Sequence, residues 1–196
     1  PNNPTGNLLN RDEMLKIIDS FDGIVVIDEA YIDFASEASW LERLDSLPNV
    51  IVLQTFSKAW GMASVRCGMA FASEEIINFF NKVKYPYNIN LLTQDFVKKM
   101  LNDENIKNQR VALLNEERKR VAEAIASLPI TKIVYPSDAN FVLVKVTDAI
   151  AIYNELMNRG VIVRNRNSVT LCNNCLRITI GTPEENNILL KELSSF

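Results

Sequence analysis

"GIVVIDEAY", Gly23 to Tyr31, decides how the rest of this chain is read. Ile24, Val25, Val26 and Ile27 are consecutive β-branched apolar residues. Such a run predicts a strand buried on both faces, as in parallel sheets. Asp28 leaves that strand at its carboxyl end, where open α/β sheets bind their ligands. Position alone leaves two readings for Asp28: a functional acid, or a cap for the following turn.

Outward from that stretch, "VIVLQTF" (Val50–Phe56) is a second apolar strand and "CGMAFAS" (Cys67–Ser73) a weaker third. Met14, Leu15, Ile17 and Ile18 fall at helical spacing within Arg11–Asp19, with Asn10 or Asp12 as caps. Helices are expected over Glu74–Lys84 and Leu91–Leu101. A long helix is expected from about Asn105 to Ser127, closed by Pro129. Val111, Leu114, Val121, Ile125 and Leu128 mark its apolar face, and "NEERKR" (Asn115–Arg120) its exposed part.

Beyond Pro129 the texture changes. "TKIVYPS" and "ANFVLVKV" read as strands, Asp148–Asn158 as a helix closed by Gly160, "VIVRN" and "LRITI" as strands, and Glu184–Leu193 as a last helix. The early alternation of strand and helix argues α/β; the later grouping of strands argues α+β. The long helix joins them. "PNNPTGN" at Pro1–Asn7 has turn composition.

Composition narrows the function. The 196 residues are 47% apolar and 23% charged, as in an ordinary globular protein with a real core. A net charge of −3 offers no general attraction to nucleic acid or an anionic membrane. No apolar run approaches the roughly 18 residues of a spanning helix. An odd cysteine count of 3 does not suggest a secreted disulfide scaffold, so a cytoplasmic location is expected. There are 0 histidines, which removes Ser-His and Cys-His nucleophile pairs and every His-containing metal site from this chain. Acid–base work must fall to Lys, Asp, Glu, Tyr or Cys.

"TFSKAWGMASVRCG" follows the second strand. Lys58 stands just past the strand's carboxyl end among Phe56, Ala59 and Trp60. Those neighbours predict partial desolvation and a more accessible neutral amine. Arg66, with the hydroxyls of Thr55 and Ser57, is a sensible phosphate clamp. Pyridoxal phosphate needs a lysine for covalent attachment, an acid beside its ring nitrogen, and a phosphate site. Lys58, Asp28 and Arg66 supply these.

With these residues the chain resembles the fold-type I, class-II pyridoxal-phosphate-dependent aminotransferases. "PNNPTGN", "DEAYIDF", "TFSKAWG", "VRCG" and "CLRITIGTPEEN" look most like the branch acting on histidinol phosphate. The resemblance runs in order from Pro1 almost to Phe196. It implies that Lys58 bonds the cofactor and carries a proton between the substrate α-carbon and the cofactor. Asp28 would keep the ring nitrogen protonated. Tyr31 and Asn3 would hydrogen-bond the phenolic oxygen, and Ser57 and Arg66 the phosphate, with Thr55 behind them. Arg177 would pair the substrate's α-carboxylate as a bidentate fork. Arg164 would help read the substrate's own phosphate. Without the resemblance, Arg164 and Arg177 would read as surface salt bridges and Tyr31 as a core or rim aromatic.

The resemblance also implies an organisation. Residues 1–104 would be the C-terminal portion of a cofactor-binding large domain with a mostly parallel sheet. Residues 105–128 would be the linking helix and 129–196 an α+β small domain. Relatives carry a substantial portion ahead of "PNNPTG", including a loop that cradles the cofactor phosphate. The chain is therefore expected to be the second half of such an enzyme. The complete enzyme would be a homodimer acting on small molecules: histidinol phosphate or imidazole acetol phosphate, with glutamate or 2-oxoglutarate.

Other readings stay open. A decarboxylase of a phosphorylated amino acid would share "DEA" and the lysine after a strand. A non-catalytic fragment would bind the cofactor poorly. An Mg²⁺-nucleotide enzyme would share the acidic strand but needs a G-x-x-x-x-G-K-[ST] loop, and none occurs here. "CNNC" at Cys172–Cys175 has redox spacing, yet a zinc site would need two more ligands where only Cys67 remains. Reduced thiols in a loop are expected there. Arg166 and the asparagines around it are expected to be solvated.

Overall fold

A computed structural model describes residues 1–196. The chain divides into two compact units, Leu9–Arg110 and, together, Pro1–Leu8 with Val111–Phe196. No helix is long and apolar enough to cross a membrane.

The unit over 9–110 begins with α1 (Arg11–Ser20), capped by the Asn10 side chain, which accepts from Glu13 N. Strands β1 (Val25–Asp28), β2 (Val50–Thr55) and β3 (Gly68–Phe71) form one sheet in that order. β1 and β2 are parallel, with Asp28 opposite Leu53; β3 runs antiparallel to β2. The sheet described here is therefore mixed. Ile18, Ile27, Trp40, Leu47, Val50 and Val52 make its core. Helices α2 (Glu74–Val83) and α3 (Leu91–Met100) follow, and Val97 joins Phe56 and Met62 in a second cluster.

β1 departs from the expectation of a strand buried on both faces. Ile24 is 53% and Val26 54% exposed, while Ile27 is buried. β1 lies at the sheet's edge, and alternate residues point to opposite faces. One face meets the core and the other is uncovered. Tyr85, Tyr87, Leu91 and Leu92, between and at the start of the two helices, are also widely exposed.

The long helix, α4 (Glu104–Ala126), follows the predicted span closely. In its first turn Lys107 pairs with Asp33 at 2.9 Å and lies 5.1 Å from the Trp60 ring centre. Its "NEERKR" segment is not simply exposed. Glu117 is buried, because it lies on the same i, i+4 row as the core residues Val121 and Ile125. Its carboxylate accepts from Arg120 Nε (2.8 Å) and Nη2 (2.7 Å), and from Asn186 Nδ2 at 2.7 Å. These bonds hold the acid well below its usual range, at about 2, against the opposing effect of burial.

The other unit is built on an antiparallel sheet ordered β4 (Thr131–Val134), β5 (Phe141–Val146), β7 (Cys175–Thr179), β6 (Arg164–Asn165). Val142, Val144, Val146, Leu176 and Ile178 face the helices on one side. They meet α4 through Val121 and Ile125, α5 (Ala149–Asn158) through Ile152 and Leu156, and α6 (Pro183–Leu193) through Leu189. Asp148 caps α5. Thr182 and Glu185 form a reciprocal cap on α6, with Pro183 in its first turn. The expected strand "VIVRN" shrinks to Arg164–Asn165, since Val161 N is taken by Leu156 O at the end of α5.

Candidate active site

In the 9–110 unit, the parallel pairing brings the carboxyl ends of β1 and β2 side by side. Asp28 is exposed there, and its Oδ1 accepts from Ala30 N at 2.9 Å. Asp28 thus shapes the turn, as the cap reading expects, and its carboxylate retains further lone pairs for a ligand. Glu29 points the other way and is 4% exposed. It accepts from Ser39 Oγ (2.5 Å), Trp40 N (2.8 Å) and Gln54 Nε2 (2.9 Å). Sequence reasoning missed this structural acid. The strand's own alternation was the available signal, since Ile27 and Glu29 share one face and Val26 and Asp28 the other.

The turn that Asp28 shapes leads to Tyr31, which is buried at 7%. The Lys58 ammonium lies 5.1 Å from its ring centre, within cation–π range. The expected desolvation of Lys58 is not found. Phe56 and Ala59 are buried, but Lys58, in the turn after β2, is exposed.

Ser57 and Arg66 stand at the mouth of one loop. Phe56 N donates to Cys67 O at 3.3 Å, so Ser57 and Arg66 are the next residues along each limb. Thr55 Oγ1 accepts from Ser57 N at 3.1 Å and donates to Cys67 O at 3.4 Å. Arg66 is exposed, sits at φ +52° and donates from Nη1 to Ala63 O at 2.9 Å. A left-handed conformation costs a non-glycine residue roughly 1–2 kcal/mol. This set contains a lysine, an exposed acid, a tyrosine, a hydroxyl and an arginine. It matches the donor types that pyridoxal phosphate requires.

In the other unit, Arg177 on β7 donates from Nη1 to Asn3 Oδ1 at 2.8 Å, and its guanidinium lies 5.0 Å from the Phe141 ring centre. Arg164, exposed on the edge strand β6, is directly opposite Arg177. Like charges placed opposite each other repel. An anion bound between them would remove that cost. The structure therefore brings together Lys58 with Tyr31, Ser57 with Arg66, Asn3 with Arg177, and Arg177 with Arg164, and it puts Asp28 at the end of β1, opposite Leu53 of β2.

The loop before β7 is less solvated than expected. Asn165 Oδ1 accepts from Asn167 N (2.9 Å), and Asn167 Oδ1 from Asn174 N (2.8 Å). Arg166 Nε is buried. Cys172 and Cys175 are free thiols, both buried; Cys172 lies in the loop, but Cys175 opens β7, where it pairs with Lys145 of β5. Burial, and then the neighbouring Cys172, push the Cys175 thiol's pKa up.

The family model described as aminotransferase class I and II matches residues 1–193. The chain is 53% identical, over 195 residues, to the histidinol-phosphate aminotransferase of Parabacteroides distasonis, covering 100% of this chain and 56% of that protein. It spans little more than half the length of such curated relatives. Among solved structures, the histidinol-phosphate aminotransferase from Clostridium acetobutylicum superposes with a TM-score of 0.93 at 24% identity, covering 100% of this chain and 61% of that one. The enzyme of that name from Sinorhizobium meliloti, solved with pyridoxal-5'-phosphate, gives 0.88 at 26% identity, covering 100% and 55%.

Proposed function

Because the chain belongs to the aminotransferase class I and II family, we propose that it serves pyridoxal-phosphate-dependent transfer of an amino group from histidinol phosphate to 2-oxoglutarate, yielding imidazole acetol phosphate and glutamate. The observation that carries this reading is the Lys58–Tyr31 contact, which follows two parallel strands of which the first ends at Asp28. The division into large-domain portion, linking helix and small domain belongs to the same proposal, as does a cytoplasmic location.

The cofactor, when bound, supplies a sink for the electrons left at the substrate's α-carbon. The remaining work falls to side chains. Lys58 would anchor the cofactor, and its amine would carry a proton between the substrate's α-carbon and the cofactor. Asp28 holds the proton on the ring nitrogen. Tyr31 and Asn3 donate to the phenolic oxygen. Ser57 and Arg66 bind the cofactor phosphate, with Thr55 fixing the Ser57 backbone. Arg177 grips the α-carboxylate of glutamate or 2-oxoglutarate through two parallel hydrogen bonds, and Arg164 contributes to the phosphate of histidinol phosphate. We also propose a homodimer, supported by the exposed apolar run Tyr85, Tyr87, Leu91 and Leu92.

The test is an assay of an enzyme of the relatives' full length carrying this chain, given histidinol phosphate and 2-oxoglutarate. Glutamate and keto-phosphate should form in equal amounts. Carbon dioxide release from a phosphorylated amino acid, without keto-acid formation, would replace the reading with a decarboxylase. Sedimentation of the same protein should give twice the monomer mass.

A further inference from the structure

Arg177 has a support that the roles above do not use. Its guanidinium is approached by Asn3 at the edge and Phe141 beneath, and both partners lead back to one side chain, Ser137. The Ser137 hydroxyl donates to Phe141 O at 2.5 Å and accepts from Ala139 N at 3.2 Å. It is engaged in both directions, and it closes the turn that delivers Phe141 to β5.

Gly6 rests against the same side chain. At φ +82°, a Cβ on residue 6 would fall onto Ser137 Oγ and within 2.8 Å of Ser137 Cβ. Only glycine fits this approach. The neighbouring backbone locks the arrangement: Asp138 N donates to Gly6 O at 2.8 Å, and Leu8 N to Asp138 Oδ2 at 3.3 Å. The segment carrying Asn3 is closed on itself, with Gly6 N donating to Asn2 O at 2.7 Å and Asn2 N to Asn7 O at 3.1 Å. On its far side the turn is tied to α4, where Arg118 Nη1 donates to Ala139 O at 2.6 Å.

We propose that Ser137 is a positioning residue for Arg177. Its hydroxyl holds Phe141 under the guanidinium, and its side chain seats Gly6 and thereby Asn3 at the guanidinium's edge. A bidentate fork tolerates only about 0.5 Å or 10–20° of misplacement. The geometry of Ser137 therefore sets how well Arg177 binds an anionic substrate. This inference rests on the reading of Arg177 as the carboxylate-binding residue.

The test uses the full-length holoenzyme and glutamate as donor, with Ser137→Ala, Arg177→Lys and the double variant. Ser137→Ala should raise KM for glutamate about tenfold, the equivalent of one or two neutral hydrogen bonds. The turnover number should stay within about twofold, and the visible absorbance of the bound cofactor should not move. In the Arg177→Lys background the serine change should add nothing, because neighbours acting through one group are not additive. An unchanged KM in Ser137→Ala, or a full extra penalty in the double variant, overturns the proposal while leaving Arg177's role intact. An unchanged KM in Arg177→Lys overturns both. Ser137→Cys, of similar shape but with a weak donor, carries the same test if the alanine variant does not fold. It should shift KM in the same direction.

Discussion

The Lys58 ammonium faces the Tyr31 ring, 5.1 Å from its centre, at the end of a parallel strand pair. Removing the amine should therefore remove the chemistry. Lys58→Ala in the full-length enzyme should lower transamination by at least about 10³-fold, in line with losing both a nucleophile and a proton carrier. Adding pyridoxal phosphate should no longer give the visible band of a covalently held cofactor. Wild-type turnover in this variant would remove Lys58 from the reaction.

The two adjacent acids, Asp28 and Glu29, should part company on mutation. Asp28→Asn keeps an oxygen to accept from Ala30 N, so thermal stability should stay nearly unchanged while activity falls steeply. Glu29→Ala strips the acceptor from three donors. It should cost about 2–4 kcal/mol of stability, read by denaturant titration. Equal melting temperatures for the two variants would contradict this division.

Arg164 and Arg177 occupy opposite positions on neighbouring strands. Arg164→Gln removes one of two like charges, so it should not lower the melting temperature. It should raise KM for histidinol phosphate by about tenfold, and for glutamate by less. Michaelis–Menten titrations with each substrate check this. A larger effect on glutamate would reassign Arg164.

Glu117 should make stability depend on acidity. Its pKa in the fold is about 2 against an ordinary 4.5, so the depressed value belongs to the folded state. The stabilisation is fully present above about pH 4.5. It fades as pH falls from there toward 2, where the carboxylate gains its proton. Allowing for solvent screening, it amounts to about 1–2 kcal/mol. In the full-length enzyme, melting curves of the wild type and Glu117→Gln should differ most near neutral pH and converge as pH approaches 2. A constant difference across that range would contradict the ion pair's contribution.

What the sequence determined alone was local and repetitive. The apolar runs of β1 and β2, the long helix, and the order of the five motifs that name the family are written in consecutive residues. Period and spacing therefore suffice to find them. The tertiary structure decided which of Asp28 and Glu29 is buried, because Glu29's donors lie 10, 11 and 25 residues away. It placed Glu117 inside, since its partner Asn186 is 69 residues distant. It exposed Lys58 despite apolar neighbours, because a turn's geometry, not its composition, directs the side chain. It also joined Arg177 to Asn3 across 174 residues and put Ser137 behind both of Arg177's partners. A polar side chain is settled by which donors and acceptors converge on it. That convergence is a property of the folded chain, which no short window of sequence contains.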